Sequence, residues 1–451
     1  MARWQLVLLI CCASAAWCQN EASKPIAPAG LRLNSETDKQ IKSLQLHVKL
    51  APSDYAAFDE LGFAFFQKAR ETGDITYYDL AEQTLKKSLD LAPQDFHAAD
   101  PLVHLALVYM GEHRFKDALV HAQKAISLGS GNLPAFAIEG DAYTDMGDYD
   151  DATEAYNTLQ ALGRMTSSPL ALAYMSNSRI AYLRFLHGDS PEAIQLMRSA
   201  IAAALQINVP RENLAWLYFE LGERYFQTGK LESAELAYQS GITADPDHYR
   251  SLAGLAKVRA AQGKLEESIH LYQRSIVIIP FPVYVEELGD VYRKMGKEKE
   301  AQQQYDLVEY IGHLGELNRV LANRELALFH ADQGIKLHEA LKLARNELEV
   351  RHDIYTWDTL AWALYKNGRL QEAAGAMNKA LALQTNDPML LFHAGMICHA
   401  LAQDSEAEGF LNRALKTNPH FHIFHAEVAS RTLEDIRQAR NNDLRSTNAE
   451  R

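Results

Sequence analysis

The hydrophobic residues of this chain recur at helical spacing, in short stretches that end at glycine or proline. Between Leu214 and Pro246 a first amphipathic helix is predicted by the apolar positions Trp216, Phe219, Leu221, Tyr225 and Phe226. Gly229 ends this helix, because glycine tolerates the left-handed backbone of a helix C-terminus. Leu231 begins a second helix, which Pro246 ends. The pattern therefore predicts two antiparallel helices joined by a short turn.

The same pattern returns at a nearly constant interval along the chain. Gly222, Tyr225, Gly229, Ala234 and Tyr238 are followed by Ala256, Arg259, Gly263, Ser268 and Tyr272, and then by Gly289, Tyr292, Gly296, Ala301 and Tyr305. A period of about 34 residues indicates a stack in which each unit buries its apolar face against its neighbours. Gly222 lies inside the first helix, where glycine costs about 1 kcal/mol. We therefore expect the backbone of the second helix to press against it.

Two further stretches repeat the arrangement of small and aromatic residues. They are Gly140-Asp141-Ala142-Tyr143 with Gly147, and Trp357 with Leu360-Ala361 and Gly368-Arg369-Leu370. This arrangement resembles the tetratricopeptide repeat, a pair of antiparallel helices. About ten copies begin near Phe58, Ala99, Leu133, Tyr174, Ala215, Tyr249, Pro282, Val320, Ile354 and Pro388. The resemblance covers residues 55–420 and implies an all-α, right-handed α-solenoid.

Composition agrees with a single long helical stack. The 451 residues are 47% hydrophobic and include only 14 prolines, so extended disorder is disfavoured. We expect the stack and a capping helix over residues 41–430, and a polar tail over 431–451. The formal net charge of −13 and the lack of a basic run argue against a nucleic-acid partner.

The N-terminus is typical of a secretory signal. Arg3 precedes the apolar run 6–10, and small residues follow at 13–16. We expect a signal peptide over residues 1–18, a flexible tether over 19–40, and an extracytoplasmic location, periplasmic or secreted, in a bacterium. The apolar run is too short to span a bilayer as a helix. We expect no membrane span in the chain after signal cleavage. An uncleaved interfacial anchor and a lipid-modified cysteine are the alternatives.

Candidate chemistry is sparse. The sequence has no glycine-rich phosphate loop, no Gly-x-Ser-x-Gly and no His-Glu-x-x-His motif. A C-terminal group of histidines could hold a metal or belong to a hydrolase, and consists of His393, His399, His420, His422 and His425. No carboxylate or cysteine completes a ligand set, so we favour a polar helix cap. We expect neither an enzyme nor a bound cofactor or metal.

The more promising pattern is an aromatic lining. If the resemblance gives the right register, a concave groove is lined by Tyr182, Phe185, Trp216, Phe219, Phe226, Lys257, Tyr355, Asp358, Trp362, Tyr365, Phe392 and Met396. Large aromatic residues with few charges are typical of interface cores. We expect the groove to bind a protein or peptide within an assembly of the cell envelope. Two alternatives are a carrier for polysaccharide or lipid export, and a tight superhelix in which these residues are core.

Overall fold

The computed structural model describes residues 35–93, 95–129, 131–165, 168–318 and 323–449, and these residues form helices and short connections. The helices are Glu36–Leu50 (α1), Tyr55–Thr72 (α2), Thr76–Leu91 (α3), Ala99–Gly111 (α4), Phe115–Ser127 (α5), Leu133–Met146 (α6), Tyr149–Gly163 (α7), Pro169–Leu186 (α8), Ser190–Ile207 (α9), Arg211–Gln227 (α10), Leu231–Ala244 (α11), Tyr249–Ala261 (α12), Leu265–Ile278 (α13), Pro282–Lys294 (α14), Glu298–Asn318 (α15), Asn323–Gln333 (α16), Leu337–Glu347 (α17), Ile354–Lys366 (α18), Leu370–Ala380 (α19), Pro388–Ala400 (α20), Asp404–Thr417 (α21) and His425–Ala449 (α22).

Helices α2 to α21 form ten consecutive pairs, which we number as repeats one to ten. Each pair packs side by side, and its second helix also contacts the first helix of the next pair. A residue with a positive φ angle lies in the turn of every pair, and in eight of the ten turns a glycine takes this conformation. The all-α paired-helix fold predicted from the sequence is thus confirmed. The two helices of repeat eight, α16 and α17, have 11 residues each and are, with α19, the shortest of the stack's later half.

The interior glycines of the first helices make room for tyrosine rings. A Cβ atom on Gly222 would lie 2.5 Å from the ring of Tyr238 in the second helix of the same repeat. Gly140 faces Tyr156 and Gly289 faces Tyr305 in the same way. The close neighbour expected at Gly222 is therefore present, but it is a side chain rather than backbone.

The ends of the stack carry extra helices. Helix α1 begins at Glu36, within the stretch expected to be a tether, because Ser35 and Asp38 form a capping box. Helix α22 continues to Ala449, through the stretch expected to be a polar tail. The predicted signal peptide and the tether up to residue 34 lie outside the described residues. In the part of the chain that the structure describes, no helix is both long and apolar enough to cross a membrane.

Repeats far apart in the sequence contact each other directly. The turns of repeats three, four and five lie against the segments that follow repeats eight, nine and ten, and we call this contact the seam. It consists of Gly147 against residues 352–353, Gly188 against residues 384–386, and Gly229 against residues 417–418. One hydrophobic cluster contains buried residues from repeats three to five and seven to ten. The seam is therefore continuous with the core.

Hydrogen bonds join the two sides of the seam. The amide of His352 donates to the carbonyl of Met146 at 2.8 Å. The Asn386 side chain donates to the carbonyl of Gly188 at 3.1 Å, and the Asn418 side chain donates to that of Phe226 at 2.8 Å. These bonds satisfy backbone carbonyls near the ends of first helices, where helices leave such groups unpaired.

Candidate functional site: the inner face of the repeats

The predicted groove residues lie on the first helices of repeats four to six, nine and ten. We call the surface formed by these helices the inner face. The seam brings its two parts together, since the side chain of Gln227 on α10 lies 3.3 Å from a carboxylate oxygen of Asp387 at the start of α20. The part of the inner face from repeats four to six therefore faces the part from repeats nine and ten.

Half of the predicted lining is buried by contacts within the chain. The exposed fraction is below 9% for Phe185, Phe219, Phe226, Asp358, Trp362 and Phe392. Trp362 illustrates the reason, because its indole Nε1 donates to Asp332 at 2.7 Å and its ring stacks on His393 at 4.0 Å. These six side chains are core in this structure, which was the alternative for a tightly wound stack. Their part in binding a partner stays a prediction.

The other six predicted residues are partly exposed: Tyr182, Trp216, Lys257, Tyr355, Tyr365 and Met396. The ring of Tyr365 stacks on that of Trp362 with centroids 4.8 Å apart. Trp216 packs against the large hydrophobic cluster. A partner on the inner face would therefore meet these side chains before the buried ones.

Lys257 is held in an ion pair that the sequence reading missed. Its ammonium lies 3.0 Å from both carboxylate oxygens of Glu223, which also accepts a hydrogen bond from Tyr238. Burial acts to raise the pKa of Glu223, but Lys257 and the Tyr238 hydroxyl outweigh it and the pKa is lowered. Lys257 therefore stabilises the inner face. Its positive charge is already balanced by the Glu223 carboxylate before a partner binds.

The same arrangement occurs in two other repeats. Asp141 accepts a hydrogen bond from Tyr156 at 2.8 Å and another from Arg179 of the next repeat at 2.8 Å. Asp290 accepts from Tyr305 at 2.7 Å. In all three repeats the acid directly follows the interior glycine, and the tyrosine comes 15 residues after the acid. This spacing is visible in the sequence and could have identified the three acids that pair with tyrosines.

A group of aromatic and charged side chains spans the two parts of the inner face. We define the inner patch as Tyr182, Arg224, Tyr355 and Asp387. The Arg224 guanidinium lies 5.3 Å from the ring centroid of Tyr182, and the Tyr355 hydroxyl lies 3.3 Å from a carboxylate oxygen of Asp387. Arg224 and Asp387 are buried, whereas both tyrosines keep part of their surface exposed. The charges therefore hold the tyrosines in place, and the tyrosines are accessible.

Burial governs the protonation of this patch. It raises the pKa of the Tyr182 and Tyr355 hydroxyls, so both are neutral donors at physiological pH. It also raises the pKa of Asp387, although the helix amides of Met389 and Leu390 and the Tyr355 hydroxyl oppose the effect. The patch can thus present aromatic surface together with the neutral hydroxyl of Tyr182, since the Tyr355 hydroxyl already donates to Asp387.

The candidate histidines do not form one group. His399 is partly exposed and pairs with Asp404 at 2.8 Å, and His420 lies on the surface. His393, His422 and His425 lie inward, at the junction of repeat ten with α22. The predicted polar helix cap therefore accounts for only some of these histidines.

Comparisons with known proteins agree with the repeat pattern. A tetratricopeptide repeat family model matches residues 139–206 and 219–281, and a second one matches residues 354–387. The chain is similar to a TPR repeat-containing protein of Methanocaldococcus jannaschii, at 24% identity over 41% of this chain and 38% of that protein. It is also similar to Superkiller complex protein 3 of Homo sapiens, at 23% identity over 61% of this chain and 18% of that protein. The chain thus spans well under half the length of either relative.

Solved structures with related helical repeats include yeast Tom70 and a human IFIT1 dimer with PPP-AAAA. The first shares 13% identity over 90% of this chain and 93% of its own, with a TM-score of 0.42. The second shares 13% identity over 85% of this chain and 87% of its own, with a TM-score of 0.47. Neither likeness bears on function.

The fold and the inner face define an all-α protein built from repeated helix pairs, without a catalytic motif in its sequence. The chain contains tetratricopeptide repeats, within a stack of ten helix pairs. Proteins of this family generally mediate protein–protein interactions and are typically not enzymes. Their fold alone does not determine which partner is bound.

Proposed function

We propose that this protein is a non-enzymatic scaffold that binds an extended polypeptide segment on its inner face. The observation that carries the proposal is the position of Tyr182 and Tyr355. They come from repeats four and nine, keep part of their surface exposed, and are held by the buried Arg224 and Asp387.

The chemistry of the inner patch suits a polypeptide. Each tyrosine offers a large ring for apolar side chains at a small cost in side-chain entropy, and the Tyr182 hydroxyl can donate to a backbone carbonyl. Arg224 and Asp387 are already in place through bonds within the chain, which limits the ordering that a partner would have to impose.

The second part of the proposal is that the scaffold acts outside the cytosol, in an envelope assembly. It rests on the basic start, the short apolar run 6–10 and the small residues at 13–16. Expression of the full chain followed by N-terminal sequencing of the purified protein tests it. A new N-terminus between residues 15 and 19 supports export, whereas a protein that keeps its first residues in the cytosolic fraction contradicts it.

Binding is tested by crosslinking and affinity capture from envelope extract. The test variant is Tyr182→Ala/Tyr355→Ala, and the matched control is Tyr310→Ala, because Tyr310 is 49% exposed and belongs to the second helix α15. Trp362→Ala is unsuitable, since truncating a buried tryptophan costs about 3–5 kcal/mol and would reduce capture by unfolding.

The proposal predicts a polypeptide captured by the parent and by Tyr310→Ala, and lost from the double variant at unchanged helix content. Equal capture by all three proteins would place the binding surface elsewhere and refute the inner-face assignment. Direct titration of the identified segment would then measure how many-fold the affinity changes between the double variant and the control.

A further inference from the structure

Three potential metal ligands from separate parts of the chain meet beside Trp362. Asp332 is close to the end of α16, His393 is on α20, and His425 is the first residue of α22. One ligand atom from each of these residues lies within 4.8 Å of the other two. The sequence reading missed this set because Asp332 belongs to repeat eight, far before both histidines in the sequence.

His393 is held in the orientation of a ligand. Its Nδ1 lies 2.8 Å from a carboxylate oxygen of Asp358, so Nδ1 carries the proton and donates it. The ring also stacks on Trp362, and only 2% of the residue is exposed. Its Nε2 is buried and has no hydrogen-bond partner among the residues that the structure describes. A buried acceptor left unpaired in this way is costly unless something else binds it.

The other two residues are fixed by aromatic neighbours. Asp332 accepts from the indole of Trp362 at 2.7 Å, and the ring of His425 stacks on Phe392 with centroids 4.7 Å apart. The Nε2 of His425 lies 3.6 Å from the same oxygen of Asp332, which is longer than a hydrogen bond. An ion between the ligands would fill this gap.

His422 is engaged elsewhere and is not a ligand. Its ring stacks on His425, but its Nδ1 accepts from the backbone amides of Phe424 and His425. Its Nε2 points to Asp290, at 3.6 Å. Of the five histidines considered from the sequence, His393 and His425 therefore remain as ligands, together with Asp332.

We propose that His393, His425 and Asp332 form a site for a divalent transition-metal ion, with zinc as the expected occupant. Two imidazoles and one carboxylate suit zinc, whereas magnesium and calcium prefer oxygen ligands throughout. Asp358 is the outer carboxylate that commonly orients a metal-binding histidine. The ion would tie α22 to repeats eight and ten, and three protein ligands leave a position for water or a partner's side chain.

The test uses the full chain, freed of metal with a chelator and then titrated with zinc chloride by calorimetry. Asp332→Asn removes the charged ligand but keeps an oxygen to accept from Trp362. Asp358→Asn weakens only the outer contact, and His399→Gln is the control because His399 forms a histidine–aspartate pair outside the site. Circular dichroism of each variant verifies folding.

The proposal predicts that the parent and His399→Gln bind one equivalent of zinc that raises the melting temperature. Asp332→Asn should lose both the bound zinc ion and the rise in melting temperature. Asp358→Asn should bind zinc about 10- to 100-fold more weakly. If Asp332→Asn fails to fold, the graded loss in Asp358→Asn decides the question. Zinc binding and stabilisation that are the same in the parent, Asp332→Asn and Asp358→Asn would overturn the site.

Discussion

Gly229 and Gly263 offer a matched pair for measuring the seam. Both lie in the turn between the helices of a repeat, with φ angles of 71° and 76°. A Cβ atom on Gly229 would lie 2.8 Å from the carbonyl oxygen of Thr417, whereas a Cβ atom on Gly263 would meet nothing within 4 Å. Replacing each by alanine imposes the same backbone strain, of about 1–2 kcal/mol.

Only Gly229→Ala also disturbs the seam. The contact with Thr417 must open, which costs about 1–3 kcal/mol by analogy with other overpacked sites. Opening it also strains the bond from Asn418 to the Phe226 carbonyl, a loss of about 1 kcal/mol. We therefore expect Gly229→Ala to destabilise the protein by about 2–4 kcal/mol more than Gly263→Ala does.

Urea unfolding followed by circular dichroism measures this difference. Because stacks of repeats can unfold in more than one step, the transition of each variant is compared over its whole course and not only at its midpoint. Equal losses of stability in the two variants would show that the seam contact adds nothing, since the backbone strain common to both would then account for the entire effect.

Two further predictions concern the packing of the repeats and the charge of Glu287 in repeat seven. Gly222→Ala should destabilise the protein by about 1–3 kcal/mol, because the new Cβ meets the buried Tyr238. Gly375→Ala should stabilise it by about 0.5–1 kcal/mol, because Gly375 is in an open helical position. Urea midpoints of the two variants that move in the same direction would contradict this. Burial raises the pKa of Glu287 to about 7, so ionisation weakens the fold as the pH rises from about 4.5 to 7. The stability of Glu287→Gln should therefore resemble that of the parent at pH 5 and exceed it by about 1–3 kcal/mol at pH 8. A difference in urea midpoints that does not change with pH would contradict the assignment.

The local part of the fold could be predicted from the sequence because its signals are local. Gly222 and Tyr238 lie within one repeat, and their spacing recurs in the next repeats. Each helix pair follows from such short-range patterns, which include the glycine of the turn. The approximate number of repeats and the all-α class were therefore accessible without coordinates.

The seam could not be predicted in this way. His352 and Met146 are far apart in the sequence, and their contact depends on how the small rotation between neighbouring repeats accumulates along the stack. No single repeat encodes that sum. For the same reason the burial of Trp362 and Phe392, and the meeting of Asp332 with His393, became apparent only in the structure.

The most direct measurement of the central claim, that repeats three to five close against repeats eight to ten, is hydrogen–deuterium exchange at residues 352–354. The amide of His352 precedes α18 and that of Ile354 is at its first position, so neither has a partner within the helix. Across the seam they donate to the Met146 carbonyl and the Tyr149 hydroxyl, at 2.8 and 2.9 Å. A closed seam predicts that both amides exchange at least about 100-fold more slowly than in an unstructured peptide, and that Tyr149→Phe speeds up exchange at Ile354 alone. Exchange of both amides at the peptide rate in the parent protein would contradict the closed arrangement.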